Sequence, residues 1–309
     1  MLRPNPRQVS SRRARLLLPL LAALLPSAAS AAAQQTSDEE RAWNEPVEPF
    51  RVAGNVYYVG ATEVASYLIT TPEGHFVLDG GLPQTAPQIL SNIERLGFEP
   101  ADVKLLLNSH AHYDHAGGLA ELEARTGAAI LLSAGDVDQA RRGGLGDFAF
   151  GDRFAFPAFA PDRVVADGEA VTLGGVTMTA HVTPGHTRGC TTWTLRVVEA
   201  GEPLDVLFLC SVTAPGYRLI GNAAYPEILE DYRATFRRLE AMDADVFLAN
   251  HGSFFDLHAK RARLSATPPR NPFVDPDGYR RHLARMKQEL ERKANEQRSG
   301  EAPKPGAAR

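Results

Sequence analysis

Two kinds of hydrophobic spacing alternate along this chain. Residues 56–59, 66–70 and 76–78 are short apolar runs. Gly54-Asn55 precedes the first, and Pro72-Glu73-Gly74 separates the second from the third, so the pattern predicts three strands of a meander. Over 84–96 the apolar positions recur at helical spacing and stop at Gly97, which predicts a helix with a glycine stop. A buried strand over 103–107, a helix over 119–125, a strand over 129–132 and a helical stretch over 134–141 follow. Residues 143–160 break the pattern. They are rich in Gly, Phe and Pro and predict a long surface loop, whose Phe148, Phe150, Phe154 and Phe156 either wall a site or pack beneath the loop. Residues 163–183 and 190–211 read as strands, 226–242 as an amphipathic helix and 246–248 as a strand. A terminal helix is predicted over 276–295, with Asp275 as N-cap and Pro276 at its first position.

Strands followed by helices thus occur twice, over about 45–145 and 163–290. Two sheets, each covered by helices on one face, predict an α/β fold: a four-layer αβ/βα sandwich of two mixed sheets in a single domain over 34–298. No internal repeat competes with this reading, and 299–309 reads as a disordered tail.

Composition adds most at the N-terminus. Arg3, Arg7, Arg12, Arg13 and Arg15 are followed by an apolar run over 16–25 and by small residues ending at Ala31-Ala32-Ala33. That order is the signature of an export signal over 1–33, and the apolar run is too short for the roughly 20 residues of a membrane span. Without those arginines the formal charge moves from −4 to −9. An acidic mature chain argues against a nucleic-acid partner. The expectation is a periplasmic monomer, free of the membrane after signal removal, that acts on a small molecule.

The chemistry concentrates in His110-Ala111-His112-Tyr113-Asp114-His115, directly after the 103–107 strand. In an extended segment His110 and His112 point to one side and can share an ion. Asp114 and His115 follow as the chain turns into a helix, a turn that Gly117-Gly118 permits, and are placed for a second ion. His186, in Thr183-Pro184-Gly185-His186-Thr187, and His251, in Ala249-Asn250-His251-Gly252, offer further ligands at strand ends. Imidazole and carboxylate without thiolate suit zinc, two ions per chain, although iron, manganese or a non-catalytic metal-binding role fit the same residues. His75, His181, His258 and His282 carry no such pattern. Ser211 and Thr213 alternate along an extended segment, which turns both hydroxyls to one side, either for a ligand or to cap a turn.

The cysteines add a constraint. With strands over 190–198 and 203–210 and a turn over 199–202, a register centred on Ala200 sets Cys190 opposite Cys210, within disulfide range in an oxidising compartment. Two free thiols, or Cys210 as a metal ligand, are the alternatives.

At these residues the chain resembles the metallo-β-lactamase superfamily, through the H-x-H-x-D-H run and Val77-Leu78-Asp79-Gly80-Gly81. It further resembles the third subclass of class B β-lactamases over about 42–293, through Ala42-Trp43-Asn44-Glu45-Pro46, the His186 segment, Ala214-Pro215-Gly216-Tyr217, Tyr225-Pro226 and Glu230-Asp231-Tyr232. The resemblance implies hydrolysis of the β-lactam amide of antibiotics. It implies a first zinc on His110, His112 and His186, and a second on Asp114, His115 and His251, with Asp114 also orienting the hydroxide. Ser211, Thr213 and Asn222 would face the substrate. Glyoxalase-like and lactonase-like members carry a bridging aspartate where this chain reads Leu209-Cys210-Ser211. Another dinuclear zinc hydrolase of the same fold, acting on a lactone, thioester or phosphoester, remains the alternative.

Overall fold

The computed structural model describes Met1 and residues 37–264 and 271–300. Apart from Met1, the export signal expected over 1–33 lies outside the described residues, as does the tail from 301 onward.

Seven strands form the first sheet in sequence order: β1 (Phe50–Ala53), β2 (Val56–Tyr58), β3 (Tyr67–Thr71), β4 (Gly74–Leu78), β5 (Val103–Leu107), β6 (Ala129–Ser133) and β7 (Arg163–Val165). The first four make the antiparallel meander, and β4 to β7 run parallel. Side chains alternate across this sheet as a period of two requires. Tyr67, Ile69, Phe76, Leu78, Leu107 and Leu131 share a core with Trp193, Leu195 and Phe208 of the other sheet. Leu68, Val77, Leu106 and Ile130 face the opposite way, onto α2 (Ala86–Arg95) and α4 (Leu119–Thr126) through Ile89, Ile93, Leu119 and Leu122.

The second sheet has the order β12-β11-β10-β9-β8, from β8 (Ala170–Leu173), β9 (Val176–Val182), β10 (Thr191–Glu199), β11 (Glu202–Leu209) and β12 (Val246–Ala249). Its outer face carries α6 (Ile228–Glu240) and α8 (Pro276–Ser299), which bury Tyr232, Phe236, Tyr279 and Leu283. Asp275 caps α8 by accepting from Gly278 N. The result is the four-layer α/β sandwich.

The details differ from expectation where local signals ran against tertiary pairing. Residues 163–183 form three strands, divided between the two sheets. Arg163–Val165 hydrogen-bonds to β6, so the first sheet extends past residue 163. The Gly174-Gly175 turn, with φ of 52° and 79°, folds β8 back on β9. Helix α1 (Asp38–Trp43) was not anticipated, although Ser37 and Glu40 form a reciprocal capping box that the sequence spells out. Helix α7 (Leu257–Leu264) carries no clear apolar stripe and was not anticipated either.

The hairpin register also shifts. Glu199 pairs with Glu202 and Trp193 with Phe208, one residue off a pairing centred on Ala200. The turn is Ala200-Gly201, both at positive φ, which is the two-residue geometry that matches strand twist. In this register Cys190 and Cys210 are not opposed. The disulfide between them forms just beyond the ladder, with Cα atoms 5.9 Å apart.

Candidate metal centre

Strands β9, β11 and β12 share one direction, and their C-terminal ends lie at one edge of the second sheet. The loops after β9, β11 and β12 carry His186, Ser211 and His251; the segment after β5 of the first sheet carries His110 and His112, and α3 (Tyr113–Ala116) carries Asp114 and His115. The structure brings all six predicted ligands together.

They divide into two sets. His112 Nδ1 lies 3.1 Å from His186 Nε2, and His110, His112 and His186 together offer convergent ring nitrogens. His115 Nε2 lies 3.2 Å from His251 Nε2, and Asp114 Oδ2 lies 3.4 Å from each. Ligand atoms about 2.0–2.1 Å from a tetrahedral zinc sit about 3.3–3.4 Å from one another. The second set matches that triangle. In the first set His110 Nε2 is buried with no hydrogen-bond partner, an orphaned atom that a metal ion would satisfy. The rings of His110 and His115, one from each set, are 4.6 Å apart. The donor set therefore fits two ions.

On three of the other four histidines the outward-facing nitrogen also meets an oxygen. His186 Nδ1 bonds Thr213 O at 2.8 Å, and His112 Nε2 meets Asp147 Oδ2 at 3.3 Å. His251 Nδ1 lies 3.4 Å from Glu63 Oε1, whereas His115 Nδ1 is 3.8 Å from Asp79 Oδ2, beyond hydrogen-bond distance. Such partners fix the ring orientation and tautomer of a ligand histidine. Asp79 stands at a φ of 64°, rare for a residue with a side chain, and accepts from Ser109 N at 2.6 Å and Asn108 Nδ2 at 2.9 Å. It thereby holds the start of the ligand run. Sequence reasoning assigned no role to Asp147 or Glu63. Asp79 stood in a recognised segment, but nothing local marked its partner.

Gly117 and Gly118 act differently from the expected sharp turn. Both have right-handed helical backbone angles. A Cβ on Gly118 would strike Gly80 O, and one on Gly117 would strike Tyr113 O and the Pro83 ring, so what they provide is close backbone approach.

Burial, reinforced by His115 and His186, holds His110 well below the usual histidine range, and burial beside His112 takes His186 down to about 3. Burial opposes protonation of His251 as well, but hydrogen bonds to Asp114 and Glu63 raise it to about 9. Burial likewise opposes the ionised form of Asp114, yet His115 and His251 hold it well below the carboxylate range. Within the first set His112 goes the other way: burial opposes its protonation, but the hydrogen bond to Asp147 raises it above the usual histidine range.

The remaining predicted residues fall nearby or elsewhere. Ser211 Oγ accepts from Thr213 N at 3.2 Å and lies 2.9 Å from Thr213 Oγ1, so the pair closes a turn whose Thr213 carbonyl holds His186. Asn222 donates to Arg218 O and accepts from Ala224 N and Tyr225 N, bonds that close the turn after Tyr217. Cys210 is tied to Cys190 and offers no thiolate; its sulfur lies 3.6 Å from His110 Nδ1. The aromatic loop packs partly beside the cluster and partly into the core. Phe150 meets the His112 ring at 5.5 Å, Phe154 stacks on Tyr113 at 4.6 Å, and Phe156 is buried in the helix-facing core. His75, His181, His258 and His282 contact other regions.

A four-layer sandwich with an imidazole-and-carboxylate cluster at its strand ends defines a metal-binding α/β protein. More narrowly, the chain belongs to the metallo-beta-lactamase superfamily, whose family model matches residues 59–251. It is 43% identical to a Cronobacter sakazakii metallo-beta-lactamase with a HARLDQ motif, over 84% of this chain and 99% of that one, with a TM-score of 0.81. It is 39% identical to BJP-1, a subclass B3 metallo-beta-lactamase of Bradyrhizobium japonicum, over 84% of this chain and 98% of that one, with a TM-score of 0.79. Among curated proteins, a hydroxyacylglutathione hydrolase of Rhodospirillum rubrum is 35% identical over 107 residues, 35% of this chain. There the chain spans about a third of the relative's length, 34%.

Proposed function

We propose that the protein hydrolyses the β-lactam amide of antibiotics with two zinc ions, and so confers resistance, in the manner of a subclass B3 metallo-β-lactamase. The observation that carries this reading is the division of the cluster into His110/His112/His186 and Asp114/His115/His251, each with ligand atoms at or near the spacing zinc requires. Zinc, when bound, supplies Lewis acidity and lowers the pKa of water to about 7.

The chain's own groups do the rest. Asp114 anchors the second set and orients the attacking water by accepting a hydrogen bond from it. Asp147, Glu63 and Thr213 O hold the ligand rings in place. Ser211 and Thr213 hydroxyls donate to the substrate carboxylate, and Phe150, Phe154 and Tyr113 form an apolar wall that limits water beside His112. Assays of a chromogenic cephalosporin with and without chelator test the reading.

A second reading, thioester hydrolysis, is favoured by the match to the hydroxyacylglutathione hydrolase. Against it stands the segment after β11, where Cys210 is locked in a disulfide and Ser211 closes a turn, with no aspartate to bridge two ions. A panel of thioesters and lactones run beside the cephalosporin separates the two. The proposal extends to export: a signal over 1–33, a periplasmic monomer, and a Cys190–Cys210 bond that an oxidising compartment sustains. N-terminal sequencing of periplasmic protein and its sedimentation mass check these points.

A further inference from the structure

Asp136 ends the turn after β6 and occupies the N-cap position of α5 (Val137–Arg141), yet its side chain makes no capping bond. The carboxylate turns away from its own helix and is only 1% exposed. Oδ2 accepts from Ala111 N at 2.9 Å and from Thr187 Oγ1 at 2.7 Å, and Oδ1 accepts from Gly189 N at 2.7 Å. Ser133, at the end of β6, adds a fourth tie by donating to Gly189 O at 2.6 Å. Ala111 is the residue between His110 and His112, and Thr187 follows His186.

The contact has no slack. A Cβ on Gly189 would lie 2.5 Å from Asp136 N and 2.6 Å from its carboxyl carbon. Among the described residues no lysine or arginine pairs with Asp136. A carboxylate buried without a cation is costly, and its retention calls for a role that outweighs the cost.

We propose that Asp136 is a positioning residue for the first ligand set, a clamp that fixes the His186 loop of the second sheet against the His110–His112 segment of the first. It touches neither the ligand atoms nor the reacting atoms. It acts through the backbone of Ala111 and Gly189 and the hydroxyl of Thr187, and so sets the separation of three nitrogens that come from two distant segments. This rests on the metal-binding reading above.

The test is zinc affinity at each site, measured by competition with a chromogenic chelator on purified full-length protein, together with the visible spectrum of the cobalt-loaded form. Asp136→Asn presents an amide NH2 toward at least one donor that now finds an acceptor. It should weaken the His110/His112/His186 site by roughly 10–100-fold and perturb that site's cobalt bands, with the other site within about threefold. Thr187→Val should weaken the same site by less, and Thr187→Ser, which keeps the hydroxyl, should bind as wild type. If Asp136→Asn does not fold, the Thr187 pair decides: equal affinities for Val and Ser overturn the proposal. Equal weakening of both sites with a lowered Tm of the metal-free protein would mean a purely structural role and also overturns it. Wild-type protein that takes up no zinc overturns the metal reading and the inference together. Wild type with two ions and Asp136→Asn with unchanged affinities overturns the inference alone.

Discussion

Asp147 reaches His112 Nε2 with one carboxylate oxygen and closes its own turn with the other, accepting from Ala149 N and Phe150 N at 2.7 and 2.8 Å. One residue thus orients a ligand ring and sets Phe150 beside it. Glu63 does the comparable service for His251 and is itself held by Ser253. Glu63→Gln keeps the shape and removes the charge, and should lower the zinc affinity of the Asp114/His115/His251 set by roughly 10–100-fold; equilibrium dialysis against graded chelator checks it. Ser211→Ala combined with Thr213→Val should raise KM more than it lowers kcat if the hydroxyls bind a remote carboxylate equally in ground and transition states. Steady-state kinetics on a cephalosporin decide, and a pure kcat effect would place the hydroxyls at the reacting centre. All six candidate ligands were legible in the sequence because five stand in short motifs at strand ends and the sixth, Asp114, lies inside one. Their outer partners were not legible, since Glu63 and Asp147 meet their histidines only through tertiary folding, 188 and 35 residues apart along the chain.

At the scale of elements, short apolar runs and glycine stops marked most strands and helices, and what failed was pairing. Residues 163–165 look like any other strand start, and only the parallel ladder with β6 assigns them to the first sheet. Likewise Ala200-Gly201 set the hairpin register one residue away from the cysteine pairing, and the disulfide closes beyond the ladder because Cys190 and Cys210 lie outside its last paired residues. That bond closes a loop of 20 residues, for which removal should cost about 3 kcal/mol. Urea unfolding of the double alanine variant measures it. Helix α8 predicts a pH effect. His282 packs between Phe247 and Phe254, and burial takes its pKa down to about 3. Its folded value lies below the unfolded value of about 6.5, so the stability it permits is full above pH 6.5 and is lost as pH falls toward 3. His282→Leu should flatten that acid slope by up to about 1.4 kcal/mol per pH unit, read from urea midpoints of metal-free protein at pH 7 and pH 5.

The whole molecule joins two sheets at one edge, and each ligand set draws on both: His186 and His251 come from the second sheet and the other four ligands from the first. Metal binding and sandwich stability are therefore coupled. Zinc at a thousand times its Kd should stabilise the fold by about 4 kcal/mol per site, and chelation should lower Tm accordingly. The central claim is that these six side chains hold two zinc ions that open β-lactams. It is tested most directly by stripping the purified protein of metal, adding zinc in measured equivalents, and following hydrolysis of a chromogenic cephalosporin at each step. The account predicts no turnover in the stripped protein and activity that is complete at two zinc ions per chain. Turnover that persists without metal, or a protein carrying two zinc ions that leaves the cephalosporin intact, would contradict it.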